Sequence, residues 1–189
     1  MPILPAETSV FPDDLLTLPD PGRAGTAEWR VLHTKPRQEK SLARELLQKE
    51  IPFYLPLIAH ERRFRGRVMT SYLPLFDGYL FLHSDRDAYH EALATRRVVR
   101  GLAVPDQERL WSDLRCVFGL ISSGLPVTPE PCLLPGQLVE VASGPLAGFR
   151  GRIVRSASRR RFVVEVDFIR RGASVLCDAM TLRPVEGPC

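Results

Sequence analysis

Four arginines, Arg62, Arg63, Arg65 and Arg67, crowd the segment HERRFRGR at residues 60–67. Guanidinium groups at that density grip phosphates or carboxylates through paired N–H donors, and at a hairpin tip they also keep an exposed edge soluble. Bond-making chemistry has no comparable cluster. The Gly-rich segment GPLAGFRG at residues 144–151 lacks the Lys-Ser/Thr ending of a phosphate loop, and neither H-E-x-x-H nor G-x-S-x-G occurs. His33, His60, His83 and His90 are scattered along the chain. Cys116, Cys132, Cys177 and Cys189 form no C-x-x-C pair and have no histidine at ligand spacing, so they read as free thiols without a metal. The expected activity is therefore binding: no enzyme, no cofactor, no metal.

Charge narrows the partner. Residues 1–28 hold Glu7, Asp13, Asp14, Asp20 and Glu28 against Arg23, a balance of −4, so with +4 overall the remaining chain carries about +8. A basic body suits a polyanion, because neutralising phosphates releases counterions. No apolar run approaches the ~20 residues of a membrane span, and Asp13, Asp14 and Asp20 spoil any signal-peptide reading. A cytoplasmic protein with no membrane contact is expected.

The 189 residues can hold one medium domain or two small ones, and prolines crowding residues 2–21 and 126–135 mark an end and a linker. Residues 1–27 read as a flexible acidic, Pro-rich extension, although Val10, Phe11, Leu15, Leu16 and Leu18 offer apolar anchors. Trp29–Thr34 reads as a strand. Gln38–Glu50 reads as a helix with Leu42, Ala43, Leu46 and Leu47 in one stripe. Phe53–Ala59 is a strand with edge or bulge character from Pro52 and Pro56, and His60–Arg67 turns a hairpin into a return strand Val68–Leu75. Gly78–His83 is an apolar strand. Ser84 or Asp85 then caps a helix reaching Thr95. Val98–Val104 is a further strand, and Asp106 opens a third helix carrying Leu110, Leu114, Val117, Phe118 and Ile121, with Gly124 as its stop. That order predicts an α+β fold, an antiparallel sheet backed by helices.

After a Pro-rich linker at 124–134, PGQLVEVASGPLAGFRGRIV at residues 135–154 carries two short alternating runs around a turn with Gly144, Gly148 and Gly151. Alternation sends Val139 and Val141 to one face, and the glycines permit positive φ or close backbone approach. Phe162–Phe168 alternates as a half-buried strand, and Ser174–Cys177 supplies another. A segment this small removes its edges best by closing into a barrel. Its wealth of Val and Phe favours strands as the resting state.

Both halves resemble one family. Residues 135–154 resemble the KOW motif. Trp29-Arg30-Val31, Leu75-Phe76-Asp77-Gly78-Tyr79-Leu80-Phe81 and Phe168-Ile169-Arg170-Arg171, in that order, resemble transcription factors of the NusG family. The likeness runs from Trp29 to about Ser123 for the N-terminal (NGN) domain and over 135–185 for the KOW domain, leaving 186–189 as a tail. The expected whole is an NGN domain over 28–123, the linker at 124–134 and a small SH3-like β-barrel at 135–185. Leu55-Pro56-Leu57, the arginine hairpin and Pro74-Leu75-Phe76 are closest to the specialised RfaH-like paralogs.

The resemblance implies a monomeric elongation or antitermination factor that suppresses pausing or termination. Phe76, Tyr79 and Phe81 would line the apolar depression that takes the clamp coiled coil of the largest RNA polymerase subunit. Aromatics suit such anchors, while the blander reading of an apolar strand is core. Lys35, Arg37, Gln38, Thr95 and Arg96 lie where paralogs meet non-template DNA in the transcription bubble. Single strands offer phosphates to cations and unstacked bases to polar and aromatic groups. Arg63 and Arg65 would add contact to DNA or polymerase. Phe168, Ile169 and Arg171 match the KOW positions that bind a small-subunit ribosomal protein or termination factor Rho. Two alternatives stand beside the specialised antiterminator: a general NusG-type factor, and a ribosome-associated RNA-binding KOW protein.

Overall fold

The WRVLHT run supplies an inner strand of the first sheet, paired on both sides. The computed structural model describes residues 7–17, 26–64, 67–130, 137–156, 159–176 and 182–185. Two compact units divide the chain, Met1–Glu108 and Arg109–Cys189. In the first, Val10–Phe11 (β1), Glu28–Thr34 (β2), Phe53–Tyr54 (β3), Tyr79–Ser84 (β6) and Val98–Ala103 (β7) form an antiparallel sheet ordered β1-β3-β6-β2-β7. The register aligns Val10, Tyr54, Phe81, Val31 and Leu102 in one cross-strand row, and Phe11, Phe53, Leu82, Arg30 and Ala103 in the next. Neighbouring rows point to opposite faces because strand side chains alternate.

Two helices complete one face. Glu39–Gln48 (α1) contributes Leu42, Ala43 and Leu46, and Arg86–Ala94 (α2) contributes Ala92, to a buried cluster with Leu32, Phe53, Leu80 and Leu82. Each fully buried leucine contributes on the order of 2 kcal/mol of hydrophobic stabilisation. Asp85 caps α2 by accepting the Ala88 N–H at 2.9 Å. The opposite face carries the aromatic row.

The strand expected over Phe53–Ala59 is divided. Pro56, which has no N–H to give a ladder, separates β3 from Leu57–Phe64 (β4). Among the described residues this pairs only with Arg67–Pro74 (β5), as a separate two-stranded sheet. The pairing of the two strands extends as far as Phe64 opposite Arg67. Val68, Met69, Tyr72 and Leu73 stand exposed along it.

The N-terminal extension also differs from expectation. Residues 1–6 and 18–25 of the 1–27 segment lie outside the described residues, but 7–17 are packed. β1 pairs with β3, and Leu15 and Leu16 are buried. The physical reason is the set of apolar anchors facing an otherwise unpaired sheet edge.

The third helix spans Gln107–Ser122 (α3) with Leu110, Leu114, Val117 and Leu120 buried, and Gly124 beyond it is left-handed at φ 73°. Within the second unit, Thr128–Glu130 (β8), Gln137–Val141 (β9), Arg150–Ser156 (β10), Arg159–Val166 (β11), Arg171–Leu176 (β12) and Leu182–Pro184 (β13) form a sheet ordered β13-β9-β10-β11-β12-β8. Part of the expected linker is therefore strand, while 131–136 lie outside the described residues. The Ser174 hydroxyl donates to the Glu130 carboxylate at 2.6 Å, and Arg161 reaches the same carboxylate at 3.4 Å, fixing β8 on β12. Val139 and Val141 are buried on one face as alternation requires. Gly144 and Gly148 adopt positive φ, whereas Gly151 serves close approach: a Cβ there would fall 2.5 Å from the Val163 carbonyl. The α+β sheet with helices followed by a sheet-rich C-terminal region agrees with the expected fold class.

Candidate functional site

Three groups of side chains emerge, two in the first unit and one in the second. The first is the aromatic face. Phe81 and Tyr54 stack at 6.3 Å, Phe76 meets Phe81 edge-on at 6.2 Å, and Trp29 lies 5.0 Å from His83 on the same side of the sheet. Such offset and edge-on contacts add to plain area burial. Phe76 and Phe81 are 1% and 0% exposed, so they form the buried body of this face. Burial pushes the Tyr54 phenol above its usual range. Tyr79 is half-buried and lies 5.4 Å from His33, making it the presented aromatic of the three residues expected at the polymerase contact.

The second group surrounds the ends of β2 and α2. Lys35 N–H donates to the Arg97 carbonyl at 2.8 Å, joining two loops far apart in sequence. Arg97 donates to Gln38 Oε1 and, through Nε, to Glu45 Oε1 at 2.8 Å. The segments carrying Lys35, Arg37 and Gln38 and those carrying Thr95 and Arg96 are thereby brought together. Lys35, Arg37 and Arg96 are exposed. The Thr95 hydroxyl instead donates to the Ala92 carbonyl at 2.7 Å and accepts the Arg97 N–H at 3.3 Å, closing α2. Arg37 and Arg96 both hold left-handed backbone, at φ 61° and 59°. That conformation is costly for a residue with a Cβ, and such outliers cluster at functional sites.

A cleft of about 730 Å³ adjoins this cluster, lined among others by His33, Arg37, Lys40, Leu73, Gly78 and Val99. Sequence reasoning missed His33, Lys40, Leu73, Val99 and the anchor Arg97. Glu39 was also missed: it is buried, and its carboxylate accepts the Gly78 N–H at 2.8 Å, fixing the turn that leads into β6. Gly78 takes φ 81° there, which a side chain would strain. An acidic residue in the first turn of a helix was the available signal for Glu39. The charged side chains of the cleft are Arg37 and Lys40 together with Glu39 and Asp77, and His33 both touches the Tyr79 ring and lines the cleft, so aromatic face and cleft meet at that pair.

Of the hairpin arginines, Arg63 is exposed, and Arg65 lies outside the described residues. Arg63 does not line the cleft.

The third group lies in the second unit. Phe168 and Ile169 are half-buried in a 3-10 turn, Asp167–Ile169, so β11 ends at Val166 rather than running on through Phe168. Left-handed Arg170 reverses the chain into Arg171, the half-buried first residue of β12. The turn is pinned from α3: Asp167 N–H donates to the Asp113 carboxylate at 3.1 Å, and Arg109 approaches Asp167 at 3.5 Å. Desolvation raises the Asp113 pKa to about 6, with the Asp167 N–H and Arg109 opposing it and the Asp167 and Glu165 charges adding to it. Burial pushes the nearby Cys116 thiol up to about 11. Cys132, Cys177 and Cys189 lie outside the described residues. Among those residues no cluster of metal-ligating side chains occurs, and no helix is long and apolar enough to cross a membrane.

Similarity to known proteins can be set beside this geometry. The model of the NusG family, described as transcription termination factor NusG, matches residues 27–111. A solved structure concerning domain interaction in Thermotoga maritima NusG is 20% identical, covers 85% of this chain and 98% of its own, and gives a TM-score of 0.49. A MjSpt4:Spt5 complex is 14% identical over 85% of this chain and 99% of that one, with a TM-score of 0.28. No curated protein matches the chain.

Proposed function

We propose that this chain, whose residues 27–111 match the NusG family model, is a factor of that family that binds RNA polymerase through its aromatic face and non-template DNA through the exposed cations beside the adjoining cleft. The family is one of non-enzymatic transcription factors, and the coarse reading is transcription elongation. In the finer reading, Tyr79 makes the outer contact with the clamp coiled coil, with Phe76 and Phe81 as the apolar body behind it. Lys35, Arg37 and Arg96 take backbone phosphates, Gln38 and Thr95 shape the rim, and His33 offers a ring on which a base can stack. Arg63 and Arg65 add contacts to DNA or polymerase. Phe168, Ile169 and Arg171 dock a small-subunit ribosomal protein or Rho. The factor works in the cytoplasm as a specialised, RfaH-like antiterminator. Its effect is differential binding among polymerase states, disfavouring paused ones, with no bond made or broken.

One observation carries this reading: the His33–Tyr79 pair joins the aromatic face to a cleft bearing Arg37 and Lys40. A polymerase-bound factor that also touches the bubble needs those two surfaces side by side. The test is capture of the isolated clamp coiled coil by the full chain. Retention that Tyr79→Ala abolishes supports the reading. Retention on ribosomes alone contradicts it.

A further inference from the structure

Phe76 and Phe81 are buried, so a partner that engages them first has to displace something. The first unit contains a segment suited to leaving. Glu7–Thr17 precedes residue 27, where the family match begins, and adds itself to the sheet as the edge strand β1. Its hold is short. Val10 pairs with Tyr54, Phe11 pairs with Phe53, and the Leu55 N–H donates to the Ser9 carbonyl at 2.6 Å. Arg44 and Glu7 form an ion pair at 2.5 Å, with the Arg44 side chain 60% exposed and that of Glu7 26% exposed, so water and salt screen the attraction from the Arg44 side.

The position matters more than the strength. Val10 stands in the row of Tyr54 and Phe81 and is buried, and Leu15 and Leu16 further along the same segment are buried as well. Phe11, one residue on, packs against the helix-side core. The segment therefore closes the margin of the aromatic face and uses up the outer N–H and C=O groups of β3. A typical strand has about five or six residues; β1 has two. An edge addition this short is readily exchanged, and strand addition to an open edge is a general mode of peptide recognition.

We propose that Glu7–Thr17 is a built-in strap that occupies the β3 edge, holds the Tyr54–Phe81 row closed and is displaced when RNA polymerase takes that face. The inference rests on the polymerase reading above. Linkage makes it reciprocal: the strap weakens polymerase binding by the same factor by which polymerase loosens the strap.

The test compares polymerase affinity of the full chain with a variant lacking residues 1–17, its folding checked by far-UV CD. Hydrogen exchange of the Leu55 amide is followed in the full chain with and without polymerase. Deletion is expected to tighten binding about tenfold, within the usual range of coupling between sites, and polymerase is expected to speed Leu55 exchange. If the truncated chain fails to fold, Glu7→Arg serves instead, since it replaces the attraction to Arg44 with a repulsion. It should tighten binding in the same direction by a smaller factor. Equal affinities with unchanged Leu55 exchange overturn the strap and leave the polymerase reading standing. No polymerase binding by any form overturns both.

Discussion

Replacing Asp113 with Asn tests whether the α3 contact to the Asp167–Ile169 turn has the stated electrostatics. Asp113 accepts the Asp167 N–H at 3.1 Å, and burial lifts its carboxyl from the ordinary 3.8 to about 6. In the folded state it holds its proton over that window, whereas in the unfolded state it does not. Stability contributed at this site is therefore lost as pH rises from about 4 to about 6, the reverse of an ordinary paired aspartate. At about 1.4 kcal/mol per pH unit, the interval amounts to on the order of 3 kcal/mol. Arg109, whose charge draws the Asp113 pKa down against the effect of burial, would be left facing a neutral amide. Asn keeps an oxygen to accept the Asp167 N–H and carries no charge. Urea denaturation of both proteins, followed by far-UV CD at pH 4 and pH 7.5, measures the difference. Asp113→Asn should be more stable by about 1–3 kcal/mol at pH 7.5 and nearly equal at pH 4. A variant that is less stable at pH 7.5, or one whose difference does not change with pH, would refute the reasoning.

Further outcomes follow from the same contacts. Arg97→Ala removes the donor that joins Gln38 and Glu45 to the loop after α2, so it should cost about 1–3 kcal/mol in thermal unfolding and weaken single-stranded DNA binding. Conservation of DNA affinity in that variant would argue against the Lys35–Arg96 cluster. Gly151→Ala sets a Cβ against the Val163 carbonyl and the Phe162 ring, so the second unit should lose about 1–3 kcal/mol; an unchanged melting profile would show that the strands separate freely. In a salt titration of single-stranded DNA binding, Lys35→Ala with Arg37→Ala should flatten the log–log slope by about 1.4. An identical slope would remove both cations from the phosphate contact.

The sequence made the sheet and helices of the first unit legible because its apolar periods are clean. Leu42, Ala43 and Leu46 recur at helical spacing, and WRVLHT and YLFLHS read as strands between turn residues. Less visible were features that depend on distant partners. The Val10–Phe11 strand exists because β3 offers an edge, and Thr128–Glu130 is a strand because Ser174 and Arg161 receive Glu130. Proline-rich composition at both places pointed to flexible chain and outweighed those few anchors. In the candidate site, the cations could be named from a family resemblance, but the residue that gathers them could not. Arg97 binds Gln38 and Glu45 across more than fifty positions of sequence, and no local pattern announces that. The left-handed backbone of Arg37 and Arg96 was equally hidden, since neither carries the Gly or Asn that usually marks it.

The central claim is tested most directly by transcription in vitro with purified RNA polymerase, with pausing and termination scored at increasing concentrations of the full chain. Shorter pauses or greater read-through, lost in Tyr79→Ala, are the predicted result. Unchanged pausing and termination at concentrations that saturate polymerase would contradict it.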